Sequence, residues 1–390
     1  MRGIPFLFSA RRLRARRPPF AQVAAVGALA VLLVWAASLS QPWNRLETMA
    51  FDAFTRLSAP GRSTLPVVLL AVDGASPSSL PERRTHARLL QRLHAGGAAA
   101  VGFDLPFSEP STPEDDAAFE QAIAASSAVV LPAEGAGDAG RPLRRFVSAG
   151  ALVGDASLQP DGDGVVRRAS VHVHSLASRL AALADARAAR EARAAAPSEY
   201  VVYRGPPGTF DTLPYEAALL PGRLPPDFFR GKVVLVGAVQ AGLRSPFSWG
   251  WSDARPFPPM ELHATLIDNQ LTGARLRSVD SGWSPVVLML ALPLLLAAGW
   301  RWPVVAAPFA LLLAAGAVGA SWLLFQRGLW WPPVFPAGAV LAGWGAVAWW
   351  RGGWPGRRRA AGFGRGSARE PKREETLSKR NVWQAFAKPD

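Results

Sequence analysis

An uncharged apolar run, Ala21–Leu39, is the feature that most constrains how this chain can fold. A helix of this length rises about 30 Å, which matches the hydrocarbon thickness of a bilayer. Six arginines and no acidic residue precede the run, as expected for a flank that stays in the cytoplasm. A cleaved signal peptide is the alternative, since Ala36-Ala37-Ser38 could serve as a cleavage site. The apolar region of a signal peptide is usually shorter than this run, which favours an uncleaved membrane anchor at residues 21–39.

Residues 283–350 contain three further apolar runs, joined by connectors of only three residues. The runs extend from Trp283 to Trp300, from Val304 to Phe325 and from Leu329 to Trp350. Ten of the fifteen tryptophans lie between Trp283 and Trp354, mostly at the ends of the runs. Tryptophan prefers the headgroup layer of a bilayer, so we predict three transmembrane helices here and four in the chain.

The net charge of +14 is concentrated in two terminal flanks. Residues 1–20 carry +6 and residues 351–390 carry +7, so the segment between them is almost neutral. Basic flanks beside apolar helices follow the positive-inside rule, so no nucleic-acid partner is predicted. With both termini in the cytoplasm, residues 40–282 are predicted to lie outside it, and the absence of cysteine suits the periplasm, outside a bacterial inner membrane.

The tail, residues 351–390, is rich in Gly, Arg and Lys and ends in a segment that carries Trp383 and Phe386. A basic residue near an anionic leaflet contributes about 1 kcal/mol, so we expect the tail to lie on membrane lipid. Exposed aromatic side chains favour a contact. Trp383 and Phe386 therefore predict docking on a partner protein or on the same membrane, and a purely topogenic tail is the alternative.

The segment 40–282 alternates short apolar runs with helical patterns. Strands are predicted at Leu65–Asp73, Ala98–Asp104, 128–133, Val165–His174 and Gly231–Ala238, and helices at His86–Gly97, Asp115–Ser126, Ser175–Ala196 and Met260–Gly273. Strands that alternate with helices indicate βαβ units. We therefore predict an α/β domain with a mainly parallel sheet.

Two predicted strands end in carboxylates, Asp73 and Asp104. Open α/β sheets bind ligands at the carboxyl ends of their strands, so the two carboxylates could hold a metal or a cationic group. Helix capping, or pairing with an arginine such as Arg84, is the alternative. We expect Asp73, Asp104 and Arg84 to cluster at one edge of the sheet.

Asp161-Gly162-Asp163-Gly164 resembles part of a calcium loop, but it lacks the spacing and the closing glutamate of an EF-hand, which favours a tight turn. His263 and Glu261 are two positions apart on a predicted helix, so they cannot share a metal from that helix alone. A packed or helix-orienting role for His263 is favoured. The chain has no cysteine, no G-x-S-x-G, no P-loop and no H-E-x-x-H. No enzyme activity, cofactor or metal is therefore predicted, and a periplasmic hydrolase or metalloenzyme built on Asp73, Asp104 and His263 is the alternative.

Several motifs together resemble the second type of CHASE domain, a bacterial sensory extracellular module associated with cyclases and histidine kinases. They are FDAF (51–54), VVLLAVDGAS (67–76), the Arg84-x-x-Ala87 helix start, AVGFDLPFSEPS (100–111), DDAAFEQAI (115–123), DGDGVVRR (161–168), FRGKVVLVGA (229–238) and ELHATLIDNQLTG (261–273). The resemblance covers about residues 43–277 and implies that the domain binds a signal. The ligand-binding candidates are Asp73, Arg84, Asp104, Asp163, Arg167 and His263.

Two departures from this family affect the expected function. The family's loop after the first strand is shortened here to Pro77–Arg84. Family members usually continue into a cyclase or kinase domain, whereas 40 residues follow the last apolar run, too few for a catalytic domain. We therefore expect a sensor that relays an unknown periplasmic signal to a separate cytoplasmic or membrane protein. A structural or docking subunit that senses nothing is the alternative. The sequence does not decide whether the chain forms a homo-oligomer.

Overall fold

The computed structural model describes residues 20–352, except 64, 73–79, 127, 136–139, 169–171, 187–189, 191–197, 239–242, 248–256, 281, 283 and 302. The basic N-terminus and the tail, with Trp383 and Phe386, lie outside the described residues. Asp73 and the first three residues of the shortened loop, 77–79, do so as well.

Eleven helices and eight strands make up the described chain. The helices are α1 (Phe20–Ser38), α2 (Gln41–Ser58), α3 (Arg83–Ala95), α4 (Pro113–Ala125), α5 (Arg144–Ser148), α6 (Leu176–Ala184), α7 (Tyr215–Leu219), α8 (Pro259–Thr272), α9 (Ser284–Arg301), α10 (Pro303–Phe325) and α11 (Val334–Gly352). The strands are β1 (Val67–Val72), β2 (Ala100–Asp104), β3 (Val129–Ala133), β4 (Leu152–Asp155), β5 (Asp211–Pro214), β6 (Val233–Ala238), β7 (Arg277–Ser278) and β8 (Leu329–Trp330).

Six strands form one sheet in the order β4-β3-β2-β6-β1-β5, and each neighbouring pair in it is parallel. The central strands are short β-branched runs without polar residues, as expected for strands covered on both faces. Val72 pairs with Ala238 and Asp104 pairs with Gly237, so β1, β2 and β6 end at the same edge. The predicted α/β fold with a mainly parallel sheet is confirmed.

Helices cover both faces of the sheet. Alternate residues of β1 point to opposite sides. Val68 and Leu70 pack in one core with residues of α3 and α4, whereas Val67 and Leu69 pack in a second core with residues of α6 and α8. The result is a three-layer α/β/α domain. Gly273 ends α8 in the left-handed conformation (φ 68°), as the sequence predicts.

Two predictions for the middle of the domain are wrong. The described part of Val165–His174 forms isolated bridges, with Val165 facing Arg244 and Arg168 facing Tyr200, in place of a regular strand. These residues pair with two different segments of the chain, so they form no continuous ladder with a single neighbouring strand. The helix predicted over Ser175–Ala196 is α6, which ends at Ala184, where Asp185 has an extended backbone. The Ala/Arg-rich remainder lies largely outside the described residues.

Apolar helices from both ends of the chain pack together. Val23, Val31 and Val34 of α1 share one buried cluster with Leu292 of α9 and Ala339 of α11, among others. Among the described residues, Ala21–Ser38 and Ala306–Phe325 are long and apolar enough to cross a membrane.

Two of the four predicted transmembrane helices, α1 and α10, therefore meet this criterion of length and apolar composition. The third C-terminal run was placed from Leu329, but Leu329 and Trp330 form β8. Two prolines follow at 332 and 333, so α11 starts only at Val334 and leaves a shorter apolar helix, Val334–Trp350.

The turn between α10 and α11 contacts the α/β domain. β8, which follows this turn, pairs in parallel with β7, which follows α8. The Arg277 N–H donates to the Gly328 carbonyl at 3.0 Å, and the Val279 N–H donates to the Trp330 carbonyl at 2.8 Å. The α10–α11 turn and the start of α9 therefore lie on the side of the helix cluster that faces the domain.

Candidate functional site

A buried arginine joins the α/β domain to α2. The Arg167 side chain is 4% exposed, and its guanidinium binds the Asp52 carboxylate through Nε at 2.7 Å and Nη2 at 2.8 Å. The remaining donors reach Asp161 at 2.9 Å and Asp163 at 2.8 Å. We call Arg167 and these three carboxylates the arginine hub. Two of the carboxylates belong to the domain, and Asp52 belongs to the helix that follows α1.

The Asp161–Gly164 turn positions the domain's half of the hub. The Gly164 N–H donates to the Asp161 carbonyl at 2.8 Å, and Gly164 has φ 80°, a conformation that favours glycine. The Asp163 carboxylate accepts from the Val165 N–H at 3.1 Å. This confirms the predicted tight turn, and both aspartates of the former calcium candidate bind an arginine.

The electrostatics of the hub favour ionised groups. Burial alone would lower the pKa of Arg167, but hydrogen bonds to Asp52 and Asp163 outweigh burial and raise it above its usual value. Burial alone would raise the pKa of Asp163, but hydrogen bonds from Arg167 and from the Val165 N–H hold it below its usual value. Both shifts favour the charged forms of Arg167 and Asp163 at neutral pH.

Next to the hub, aromatic side chains connect α2 to the apolar helices. We call the hub and this aromatic cluster the junction. Phe51, one position before Asp52, contacts the rings of Tyr200, Phe325 and Trp330 at centroid distances of 5.0, 5.7 and 5.1 Å. Phe325 is the last residue of α10 and Trp330 is in β8. One turn of α2 therefore contacts the domain through Asp52 and the helix cluster through Phe51.

Glu47, one turn earlier on α2, contacts the start of α11. Its carboxylate accepts hydrogen bonds from the N–H groups of Val334 at 3.4 Å and Phe335 at 3.1 Å, which have no acceptor within the helix. Burial raises the pKa of Glu47 although these bonds lower it. An open cleft of about 720 Å³ lies between this part of α2 and the hub, and Arg45, Glu47, Asp163 and Arg168 are among its lining residues.

The carboxyl edge of the sheet brings together a different pair. Asp104 ends β2, and its Oδ1 lies 3.7 Å from Nε2 of His263, a buried side chain on α8. The alternative interpretation, in which Arg84 pairs with Asp104, is not what the structure shows. Arg84 binds Asp115 at 2.9 Å, because the first turns of α3 and α4 meet. No metal-binding group of three or more His, Asp or Glu residues occurs in the part of the chain that the structure describes.

Comparison with protein families agrees with this architecture. The family model described as the CHASE2 domain matches residues 27–299, more than half of the chain. The chain belongs to the CHASE2 family. CHASE2 is a family of extracellular sensory domains. Neither the curated proteins nor the solved structures contain a match.

The CHASE2 match extends beyond the α/β domain. It begins within α1 and ends within α9, so it includes α2 and the hub. Two of the motifs that resemble the family meet in the structure, because Asp52 belongs to FDAF and Arg167 belongs to DGDGVVRR. The hub therefore lies between two parts of the CHASE2 sequence pattern that are 115 positions apart.

Two members of the hub, Asp52 and Asp161, were not among the predicted ligand-binding residues of the CHASE2 domain. Sequence reasoning proposed Asp163 and Arg167 as ligand contacts, but their side chains bind each other and Asp52. It did not identify α2 as a helix. The signals for one were present, because Ser40 precedes the first turn and Pro42 lies within it, as is typical of a helix start.

Proposed function

We propose that the chain is an integral membrane sensor of bacteria. Its CHASE2 domain lies outside the cytoplasm and binds a signal, and its membrane helices relay a shift to a separate protein. The bidentate contact between Arg167 and Asp52 carries this proposal, because it joins the sensory domain to the helix that continues α1. The chain acts in this account without catalysis, and its partners are membrane lipid and a cytoplasmic or membrane protein.

We further propose four membrane helices, α1, α9, α10 and α11. The buried cluster that these helices share supports this arrangement, since α9 and α11 pack on the two helices that are long enough to cross. Their outer surfaces remain apolar, with Leu290 of α9 70% exposed and Trp349 of α11 69% exposed. A lipid environment accounts for such exposure, whereas water does not.

The position of the α10–α11 turn supports the proposed topology. If α9 starts on the outer side, α10 returns to that side and its turn must lie outside with the domain. The pairing of β7 with β8 brings this turn and the domain together. The same path returns α11 to the inner side, where the basic residues 351–390 follow the positive-inside rule.

The relay requires an element with two arrangements that a signal can bias. A ligand shifts such an equilibrium only by binding one arrangement more tightly than the other. We propose that α2 is this element, because Asp52 fixes it to the domain while Glu47 and Phe51 fix it to α10 and α11. A change in the domain that moves the hub would then move α2 and the helices beneath it.

An asparagine substitution at position 52 tests the relay. Asp52→Asn removes the charged link to α2, whereas Arg167 keeps Asp161 and Asp163, so the domain stays folded. Asp161→Asn is the matched control, because it removes one hub carboxylate within the domain and leaves the link intact. Full-length variants would be crosslinked in native membranes, and the occupancy of each copurifying protein would be compared.

The relay predicts that Asp52→Asn changes the occupancy of a specific partner several-fold while Asp161→Asn leaves it near the wild-type level. Equal occupancy in wild type and both variants, with normal protein levels in the membrane, would contradict the relay. The chain would then be better described as a docking subunit.

A further inference from the structure

A second cleft lies where the domain, α2 and the α10–α11 turn meet. It encloses about 490 Å³, within the size range of small-molecule sites. Its walls come from the end of α2, the segment 201–204, the segment 273–276 that follows α8, and the turn 325–328. Three parts of the proposed relay therefore border one cavity.

The lining of this cleft is basic. It includes Arg204, Arg275 and Arg327, and no Asp or Glu is among its described lining residues. The guanidinium of Arg204 is held by Asp268 from outside the lining, and its Nη2 donates to the Thr272 hydroxyl at 2.7 Å. Arg327 is exposed at the turn itself. Arg204 is thus oriented by its partners, and the exposed Arg327 adds a further positive charge to the cleft.

A buried hydroxyl in the same lining lacks a partner. Thr55 of α2 is 4% exposed, and its Oγ1 has no hydrogen-bond partner among the described residues. A buried polar group without a partner costs roughly 1–3 kcal/mol. The Ser58 hydroxyl, one turn later, donates a hydrogen bond to the Phe54 carbonyl at 2.7 Å, so its donor is already used. Thr55 is among the lining residues, so an acceptor-rich ligand that displaces the atoms covering its Oγ1 would satisfy this donor.

We infer that this cleft binds a phosphate-bearing anion. Arginine presents planar paired donors that match phosphate oxygens, and the Thr55 hydroxyl would supply a further donor. The volume exceeds the needs of an inorganic ion and suits a phosphodiester headgroup. A bound headgroup would contact α2, the domain and the α10–α11 turn together, and would stabilise one arrangement of the junction.

The anion has two possible sources, and the bilayer is one of them. The residues of the turn follow directly on α10, so in the proposed topology they lie at the level of the outer headgroups. The lipid source rests on that topology. A free phosphate compound is the other source, and its binding does not depend on where the membrane lies.

Binding of soluble probes to the detergent-solubilised full-length protein tests the inference. The probes are dihexanoyl-phosphatidylglycerol, its zwitterionic phosphatidylcholine counterpart and inorganic phosphate, each used below micelle-forming concentrations. We expect the phosphatidylglycerol probe to bind about tenfold more tightly than the phosphatidylcholine probe, because only the former has net charge. Equally tight binding of inorganic phosphate would assign the site to a free phosphate and would still support the shared chemistry.

Two variants and one control locate the binding. Arg327→Gln should weaken the phosphatidylglycerol probe about tenfold, and Thr55→Val, which keeps the shape of the side chain, should weaken it several-fold. Arg223→Gln removes the same charge from an exposed loop position outside the lining and should leave binding unchanged.

Equal affinities in Arg327→Gln, Arg223→Gln and wild type would overturn the inference, as would equal affinities for the charged and zwitterionic probes together with no phosphate binding. Neither result would bear on the sidedness of the domain, which thiol labelling measures separately.

Discussion

Asp52 and Arg167 are 115 positions apart in the chain, yet two hydrogen bonds join their side chains face to face. The pair is the charged part of a junction whose apolar part is the aromatic cluster around Phe51. In the proposed relay this junction couples movements of the domain to movements of α2, because the guanidinium is also fixed to the domain by Asp161 and Asp163. The contribution of the hub to the free energy of unfolding can be measured directly.

Loss of the hub arginine is expected to destabilise the domain strongly. Arg167→Met keeps much of the side-chain length but leaves three carboxylates without their cation, which should cost about 3 kcal/mol. Arg145→Met is the control, since Arg145 pairs with Glu120 at a partly exposed site and its more distant contact, Asp116, keeps Arg83, so the loss should be no more than about 1 kcal/mol. Urea unfolding of the full-length proteins in detergent, followed by proteolysis of the unfolded domain, measures both. Equal losses would show that the hub is no stronger than a surface pair.

A buried histidine should make the domain sensitive to acid. His86 lies among Phe103, Phe107 and Phe119, and its Nδ1 is 2.8 Å from the Tyr215 hydroxyl. Burial, helped by the charge of Arg83, lowers the pKa of His86 from 6.5 to about 4. The unfolded chain therefore binds a proton that the folded domain does not, so stability is present at neutral pH and is lost as pH falls below 6.5.

The size of this acid effect follows from the pKa difference. Between pH 7.5 and pH 5.0 the wild type should lose about 2 kcal/mol more than His86→Gln, which cannot titrate but keeps a hydrogen-bonding group near Tyr215. Unfolding curves of both proteins at the two pH values give the difference. Parallel pH profiles would contradict the assignment of the effect to His86.

Glu261 should act as a structural acceptor for a loop. Its carboxylate accepts from the Gly208 N–H at 2.8 and 3.0 Å and from the Thr209 N–H at 2.8 Å, and burial raises its pKa despite these bonds. Glu261→Ala would leave two N–H groups without that acceptor and should cost about 2–3 kcal/mol. Glu216→Ala, on the short helix α7, should cost less than about 0.5 kcal/mol. If Glu261→Ala leaves the free energy of unfolding unchanged in the same assay, water replaces the carboxylate as the acceptor.

A disulfide can test the contact between the domain and the α10–α11 turn. The chain has no cysteine, so a pair can be introduced without background. Arg277 and Leu329 are partners in the β7–β8 pairing, and Arg277→Cys with Leu329→Cys should form an intramolecular disulfide under mild oxidation. Arg223→Cys with Leu329→Cys should remain reduced. Mass spectrometry of proteolytic fragments distinguishes the outcomes. If the cysteines at positions 277 and 329 stay reduced, the turn does not contact the domain.

The sheet was predictable because its signals are local. The runs that form β1, β2 and β6 are short and β-branched, and strands of this kind alternate with helices in βαβ units. The shared edge at which β1 and β2 end follows from their parallel direction. The helix at Met260–Gly273 was predicted for the same reason, since Gly273 marks its end in the sequence.

The junction was not predictable in the same way. Nothing near Arg167 in sequence indicates that Asp52 is its partner, because the pairing depends on how α2 packs on the domain. Arg84 shows the converse. The sequence offered it as an alternative partner for a strand-end carboxylate, Asp73 or Asp104, but the packing of α3 on α4 gave it Asp115. Local patterns fix elements, whereas long-range packing selects among several chemically equivalent charge partners.

The sidedness of the domain is the claim on which the sensory account depends most. Single cysteines at Ser148, exposed on the α/β domain, and at Ser378, in the basic tail, can be labelled in spheroplasts with a membrane-impermeant maleimide. We predict that Ser148→Cys is labelled in intact spheroplasts and that Ser378→Cys is labelled only after lysis. Labelling of Ser378→Cys in intact spheroplasts, with Ser148→Cys protected until lysis, would contradict the account.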